Sequence, residues 1–349
     1  MALNKIFARS PYFVTIDGAI NDSVRLELFI WNDPSSSPLT ATKILSKPIS
    51  IGTSVSFNIA PYIREYIDAQ PTPNVSANYP ASEYSLYCKC YAVAYVNDIY
   101  DSNTGILRCL DGYGNFEEGQ NPNLGEFGLA EGTYYFYSGS IGANGTITFL
   151  TDTIDWYAKY IETTTLDETT VALGAVGFKT IERTAYTTLG NTLEIYNDSD
   201  VLQATYVFLP RDECKYTPVA IDFINKWGAP QREIFYKSSY KNFEVNSTPF
   251  KGMATSVDYD TSVAISKIMN VNGKEGVKVN TDWVDENYAY TLQEIMLSEK
   301  INLSELVSGN SYPVKLKTKS IEMHKHINQK LINYTLEFEY AYDKLNNVI

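Results

Sequence analysis

A mainly β protein with several small cores is what this sequence predicts, on three observations. Val, Ile, Thr and aromatic residues alternate with polar ones in short runs, turn dipeptides separate the runs, and tyrosine is in excess at 28 of 349 residues, beside 15 Phe and 4 Trp. At 44% hydrophobic residues the chain can bury cores, and its length exceeds what one ordinary core fills, so two or three domains are expected.

In chain order, Pro11 to Ile16, Val24 to Ile30, Ser54 to Ile59 and Tyr84 to Val96 read as strands. In the second, Val24, Leu26, Leu28 and Ile30 fall on one face and the charges on the other, the two-residue period of a half-buried strand. Asp17-Gly18, Asp111-Gly112 and Asn32-Asp33-Pro34-Ser35 supply turn chemistry. One helical interruption is expected over Pro61 to Ile67. Strands at this spacing predict an immunoglobulin- or fibronectin-like sandwich over residues 1–118. From Asp111 to Gly132 the composition turns to Gly, Asn, Glu and Pro, which reads as a linker or long loop.

A middle β domain is expected over residues 119–212. Its strands are Thr133 to Ser138 and Thr146 to Leu150, joined through Asn144-Gly145, then Asp155 to Ile161, Val176 to Ile181, Thr192 to Tyr196 and Gln203 to Leu209. Residues 213–349 form the third unit. Val219 to Ile224 and Glu233 to Tyr236 are strands around the turn Lys226-Trp227-Gly228-Ala229-Pro230. Val284, Tyr288, Leu292 and Ile295 share one helical face, with Asp282 ahead as N-cap and Asp285 and Glu286 in the first turn, so a helix is expected over 284–297, packed on a sheet. From Leu331 to Tyr342 the even positions Ile332, Tyr334, Leu336, Phe338, Tyr340 and Tyr342 are apolar or aromatic, while Asn333, Thr335, Glu337 and Glu339 are polar. With Tyr312 to Ile327, bulged near Ser320, this gives a long C-terminal β-hairpin whose ends could pair outside the protomer.

The formal net charge is −13, without a Lys/Arg cluster, which removes the counterion-release term of nucleic-acid affinity. No direct nucleic-acid binding is expected. The first thirty residues lack a signal-peptide pattern and no run approaches a spanning helix, so no membrane insertion and synthesis in a cytoplasm are expected. The cysteines, Cys88, Cys90, Cys109 and Cys214, are too few for a disulfide scaffold and are expected as free thiols. The Asn-x-Ser/Thr triplets carry no weight without a secretory signal.

Candidate chemistry is sparse. His324 and His326 would point the same way from a strand, but a metal needs three or four converging ligands, and a solvated face is the favoured reading. Cys88 and Cys90 also share a side, with Cys109 able to lie opposite; a reduced core cluster is favoured over a thiolate site, since the spacing is not C-x₂₋₄-C. The acids are scattered, and no pair stands out for glycoside hydrolysis. Leu173 to Gly177 lacks the setting of a phosphate loop. No catalytic, metal or cofactor site is assigned. The tyrosines suit core and interface together, and their rings also suit stacking on sugars.

At Cys214 to Gln231, with Phe223-Ile224-Asn225-Lys226-Trp227-Gly228 at its centre, at Tyr312-Pro313-Val314, and at Tyr334 to Tyr342, the chain resembles structural proteins of tailed bacteriophages that infect Bacteroidetes. Ser10-Pro11-Tyr12-Phe13-Val14 before a sandwich fits the same group. The resemblance covers about the last third and the first strands, and none of these strings is diagnostic. It implies a non-enzymatic virion component of the tail or baseplate, a ring-forming homo-oligomer bound to other virion proteins, made in the host cytoplasm, with residues 213–349 as the assembly domain. The oligomer interface is then expected at Tyr312, Val314, Leu316, Tyr334, Leu336, Phe338, Tyr340 and Tyr342. The alternatives are a host-recognition carbohydrate-binding module and, more weakly, a glycan-acting hydrolase.

Overall fold

The computed structural model describes residues 5–32, 35–70, 87–119, 121, 133–137, 146–151, 153–174, 177–182, 190–211, 213, 215–252, 257, 262, 265–306, 308–322 and 332–345. The chain is mainly β, and its strands sort into three groups in sequence order.

The first group holds β1 (Lys5–Phe7), β2 (Phe13–Asp17), β3 (Ser23–Trp31), β4 (Lys43–Pro48), β5 (Ser54–Asn58), α1 (Ala60–Asp68), β6 (Tyr87–Val96) and β7 (Ile99–Leu110). A five-stranded sheet in the order β1-β7-β6-β3-β4 packs against the two-stranded sheet β2-β5. Val24, Leu26, Leu28 and Ile30 of β3 are all buried, as the alternation predicts. α1 carries Pro61 in its first turn, where the missing N–H costs nothing, and it buries Ile63 and Ile67 in the same core.

The second group holds β8 (Thr133–Tyr137), β9 (Thr146–Thr151), β10 (Tyr157–Glu162), β11 (Glu168–Ala172), β12 (Gly177–Glu182), β13 (Asn191–Tyr196) and β14 (Leu202–Arg211). The sheet β11-β10-β13-β14-β8 faces β12-β9 across a core of Phe136, Phe149, Trp156, Tyr160, Leu193 and Phe208. The first two strands do not pair with each other. β8 lies parallel to β14, while β9 pairs with β12 in the opposite sheet; the Asn144-Gly145 turn lies outside the described residues. Both faces of β8 are covered, Phe136 by this core and Tyr135 by the core of the third group, so the strand works as a partition.

The third group holds β15 (Val219–Ile224), β16 (Pro230–Phe235), β17 (Tyr240–Lys251), β18 (Ser266–Val284), α2 (Tyr288–Leu297), β19 (Ile301–Glu305), β20 (Ser311–Leu316) and β21 (Ile332–Tyr340), in one seven-stranded sheet ordered β16-β15-β19-β20-β21-β18-β17. α2 buries Tyr288, Ala289, Leu292 and Ile295 in the core of this group. It starts four residues later than expected. Val284 is the last residue of β18 and pairs with Ile332, and Asp282 stands at φ +74° beside a bulge, so its carboxylate caps nothing. Asp285 does that work, accepting the Tyr288 N–H at 3.1 Å. The C-terminal hairpin exists as β20 paired with β21, but only over Val314 to Leu316, and it lies mid-sheet between β19 and β18.

The expected linker is not one at its start. Asp111 and Gly112 are packed between units, Tyr113 donates its N–H to the Lys226 carbonyl at 2.8 Å, and a shared apolar cluster joins Phe7, Tyr87 and Leu110 to Leu150 and to Trp227 and Ala229. Trp227 therefore sits where all three units meet.

Candidate assembly surface

The feature that stands apart from these cores is the hairpin of β17 and β18. All twelve residues of β17 are exposed, and so are the first six of β18, Ser266 to Val271. β21 joins β18 only from Gly276 onward; past that point β17 and β18 pair with each other, Val245 and Asn246 with Gly273 and Asn272, then Thr248 to Lys251 with Ser266 to Met269. Seven residues at ~3.4 Å each extend this arm by about 20–25 Å.

Local chemistry explains the arm. Gly273 lies under the Phe243 ring and Gly276 under the Asn242 side chain, places where a Cβ would collide, so the root is narrow and the aromatic covers the glycine. A bulge follows between Asn246 and Thr248, opposite Asn270 at φ +51°. The root is pinned by charge: Lys317 reaches Glu244, whose hydrogen bond and negative charge hold its ammonium above the ordinary range, and Lys344 reaches Glu275 at 2.6 Å. The main chain of Lys344 also donates to the Gly273 carbonyl at 2.7 Å.

Past the root, the cross-strand pairs sort the side chains. Thr248 with Met269 and Phe250 with Lys267 share one face, and Pro249 with Ile268 lies on the other. Ile268 is 66% exposed, Val245 57% and Phe250 49%. A two-stranded ribbon wet on both faces is marginally stable in water, and one that carries large apolar groups on both has surface to cover. Among the described residues, the arm beyond its root carries Lys251 and Lys267 and no acid, within a chain of net charge −13.

The residues singled out by the C-terminal alternation are placed elsewhere. Val314, Tyr334, Leu336, Phe338 and Tyr340 are buried in the protomer's own core, Tyr312 and Leu316 pack at its margin, and of the eight only Tyr342 is exposed. The period-two pattern of β21 marks the inner face of a central strand, and its side chains are engaged within the chain. Tyr312 and Tyr340 meet edge to face at 5.7 Å, and burial, with Tyr342 and Glu305 nearby, pushes the Tyr340 hydroxyl up to about 12.

Cys88 and Cys109 are cross-strand partners in β6 and β7; with Cys90 they are free, buried thiols, and burial raises the Cys109 thiol well above its ordinary value. Cys214, His324 and His326 lie outside the described residues. Among the described residues, no three His, Cys, Asp or Glu side chains converge as metal ligands, and no helix is long and apolar enough to cross a membrane. A cleft of about 140 Å³ lies at the junction of the first and third units, lined by Tyr113, Trp227, Tyr290, Gln293 and Glu294 among others.

Sequence reasoning also missed a buried polar network. Arg232 of β16 forks onto Asp222 of β15 at 2.5 and 2.7 Å, and Ser304 donates to the same carboxylate at 2.6 Å.

No protein-family model and no curated protein matches the chain. Among solved structures, the FN1–FN3 domains of chicken CNTN1 align over 79% of this chain and 93% of theirs, at 7% identity and a TM-score of 0.18. A biofilm-associated protein's BSP domain aligns over 79% of this chain at 8% identity, also with a TM-score of 0.18; the chain spans 63% of that structure. At such scores the fold rests on the chain's own sheets.

Proposed function

We propose that this chain is a non-enzymatic assembly protein that works by offering β surface to neighbouring subunits, and that it serves in a phage particle as a tail or baseplate adaptor. The observation that carries the assembly reading is the arm of β17 and β18, apolar on both faces, which extends beyond the sheet that roots it. The body behind the arm is joined: three units share the apolar cluster around Trp227. The virion setting draws on the resemblance of the strand and turn around Trp227 and of β21 to phage structural proteins. The test is particle composition and shape. Purified particles carrying this chain are expected to contain it in a fixed copy number, with density for the arm seated on a neighbour; particles that lack it, or hold it with a solvated arm, overturn the reading.

A second reading, recognition of a glycan surface, is favoured by the junction cleft, where Tyr290 stands half exposed beside Gln293 and Tyr113, a ring and amide pairing suited to a sugar. Glycan-array binding that disappears in Tyr290→Ala would move the assignment to it.

A further inference from the structure

We infer that the cleft between the first and third units is a subsite for one neutral hexose, the end residue of a glycan, with its ring on Tyr290; the inference rests on the glycan reading and names the sugar. Two units build the cleft. Tyr290, Gln293, Glu294 and Leu297 stand at i, i+3, i+4 and i+7 of α2 and so share one of its faces, Tyr113 and Asn115 line the cleft from the first unit, and the turn at Lys226 and Trp227 completes it. Main-chain donors fix these parts before any ligand arrives: the Tyr113 N–H reaches the Lys226 carbonyl at 2.8 Å, and the Lys226 N–H reaches Glu294 at 3.2 Å. Size limits the occupant. At about 140 Å³ the cleft falls below the roughly 300–1,000 Å³ of a drug-sized site, so it suits a single six-membered ring and not a run of peptide. Charge narrows it further. Lys226 is paired with Glu118 and Arg9 with Glu299, so both of these cations are already held, and a net charge of −13 repels acidic sugars. Hydrogen bonding favours hydroxyls. Among the described residues the Tyr113 hydroxyl and the Gln293 amide have no partner, and burial, with Glu294 nearby, pushes that hydroxyl up to about 12, so it stays a donor at neutral pH. Trp227 is 4% exposed, and its indole N–H also lacks an acceptor among the described residues, a buried donor that carries its desolvation cost until one is supplied. Sugar hydroxyls both donate and accept, which serves all three groups, while the Tyr290 ring, 54% exposed, offers its face to the C–H side of the sugar.

Nuclear magnetic resonance of the full chain tests this, with the methyl glycosides of glucose, galactose, mannose and N-acetylglucosamine as probes and glucuronic acid as the charged control. At least one neutral glycoside is expected to shift the Trp227 indole N–H resonance saturably, and glucuronic acid to leave it in place. Tyr290→Ala and Gln293→Ala, both outside the buried core and checked for folding by circular dichroism, are each expected to weaken that binding about tenfold. Neutral glycosides that move no cleft resonance up to their solubility limit overturn the inference, and so does a shift that Tyr290→Ala leaves unchanged or that glucuronic acid produces equally. Glycan-array binding by a chain whose cleft resonances stay still overturns it while leaving the glycan reading standing on another surface. A proline-rich peptide that moves the Trp227 resonance where no glycoside does, together with an empty glycan array, overturns both.

Discussion

Gly112 and Gly228 are packed backbone against backbone. A Cβ on Gly228 would lie 2.5 Å from the Gly112 nitrogen, and one on Gly112 would lie 2.7 Å from the Lys226 oxygen and the Trp227 carbonyl carbon. Two turns from different units thus meet at the closest approach that the main chain allows, and Trp227 is set into the shared cluster as a result. Gly228 also holds φ at +78°, a region that L residues enter at a cost. Gly228→Ala is therefore expected to be the worse of the two substitutions, by about 2–4 kcal/mol of unfolding free energy against about 1–3 for Gly112→Ala. Denaturant melts check the order. Equal stability in both variants and the wild type would mean that the junction is looser than the distances require.

The rim of that junction is ionic, and its two ends are unequal. Glu299 takes Arg64 at 2.7 Å, but the pair is largely in water. Lys300 takes Asp111 at 3.1 Å, where the carboxylate is nearly covered and burial raises its proton affinity against the lysine's pull. Exposed pairs contribute about 0–1 kcal/mol, whereas a covered carboxylate stripped of its partner costs several times more. Lys300→Met is expected to lower stability by about 2 kcal/mol or more and Glu299→Gln by less than about 1 kcal/mol. Chemical denaturation in low and high salt separates them, with only the second losing its effect as salt rises.

Legibility followed burial on one face. β3, with a dry side and a wet side, was readable at single-residue level in Val24 to Ile30, and so was β21 in Ile332 to Tyr340. The same reading failed in meaning for β21, because period two reports a covered face without saying whether a neighbouring strand or another molecule covers it. β8 and β16 are covered on both faces and lack any period to read. The arm fails for the opposite reason: with both faces exposed, Phe243, Val245 and Phe250 change parity at the bulge, and Pro249 reads as a break. The start of α2 was misplaced because Val284 fits the helical stripe as well as the strand that owns it. Gly112 and Gly228 were visible as turn glycines, but nothing local tells two turns that they face one another.

The Arg232 and Asp222 pair lies between buried strands, with side chains 7% and 2% exposed. Removing one member leaves the other charged and dry, so Arg232→Met is expected to cost about 3–5 kcal/mol. Replacing both, as Arg232→Met with Asp222→Leu, is expected to recover most of that loss, because no charge is then stranded. A double-mutant cycle by denaturant unfolding measures it, and a double variant as weak as the sum of the singles would show that packing, not charge, holds β15 to β16.

Alkaline stability follows from two tyrosines. Burial, aided by Tyr342 for Tyr340 and by Glu294 for Tyr113, pushes each hydroxyl up to about 12. An unfolded tyrosine titrates near ~10, so between these values the unfolded chain has released protons that the folded chain retains. The unfolded state then binds fewer protons, and unfolding free energy falls as pH rises. The contribution is whole below about pH 10 and is lost as pH climbs through about 12. Tyr340→Phe keeps the ring against Tyr312 and deletes the titrating group, so it is expected to flatten this decline while leaving neutral-pH stability nearly unchanged. Unfolding curves at stepped pH, with tyrosinate absorbance followed in parallel, give the answer. A Tyr340→Phe chain whose stability falls as steeply as the wild type's would place the alkaline weakness at other groups.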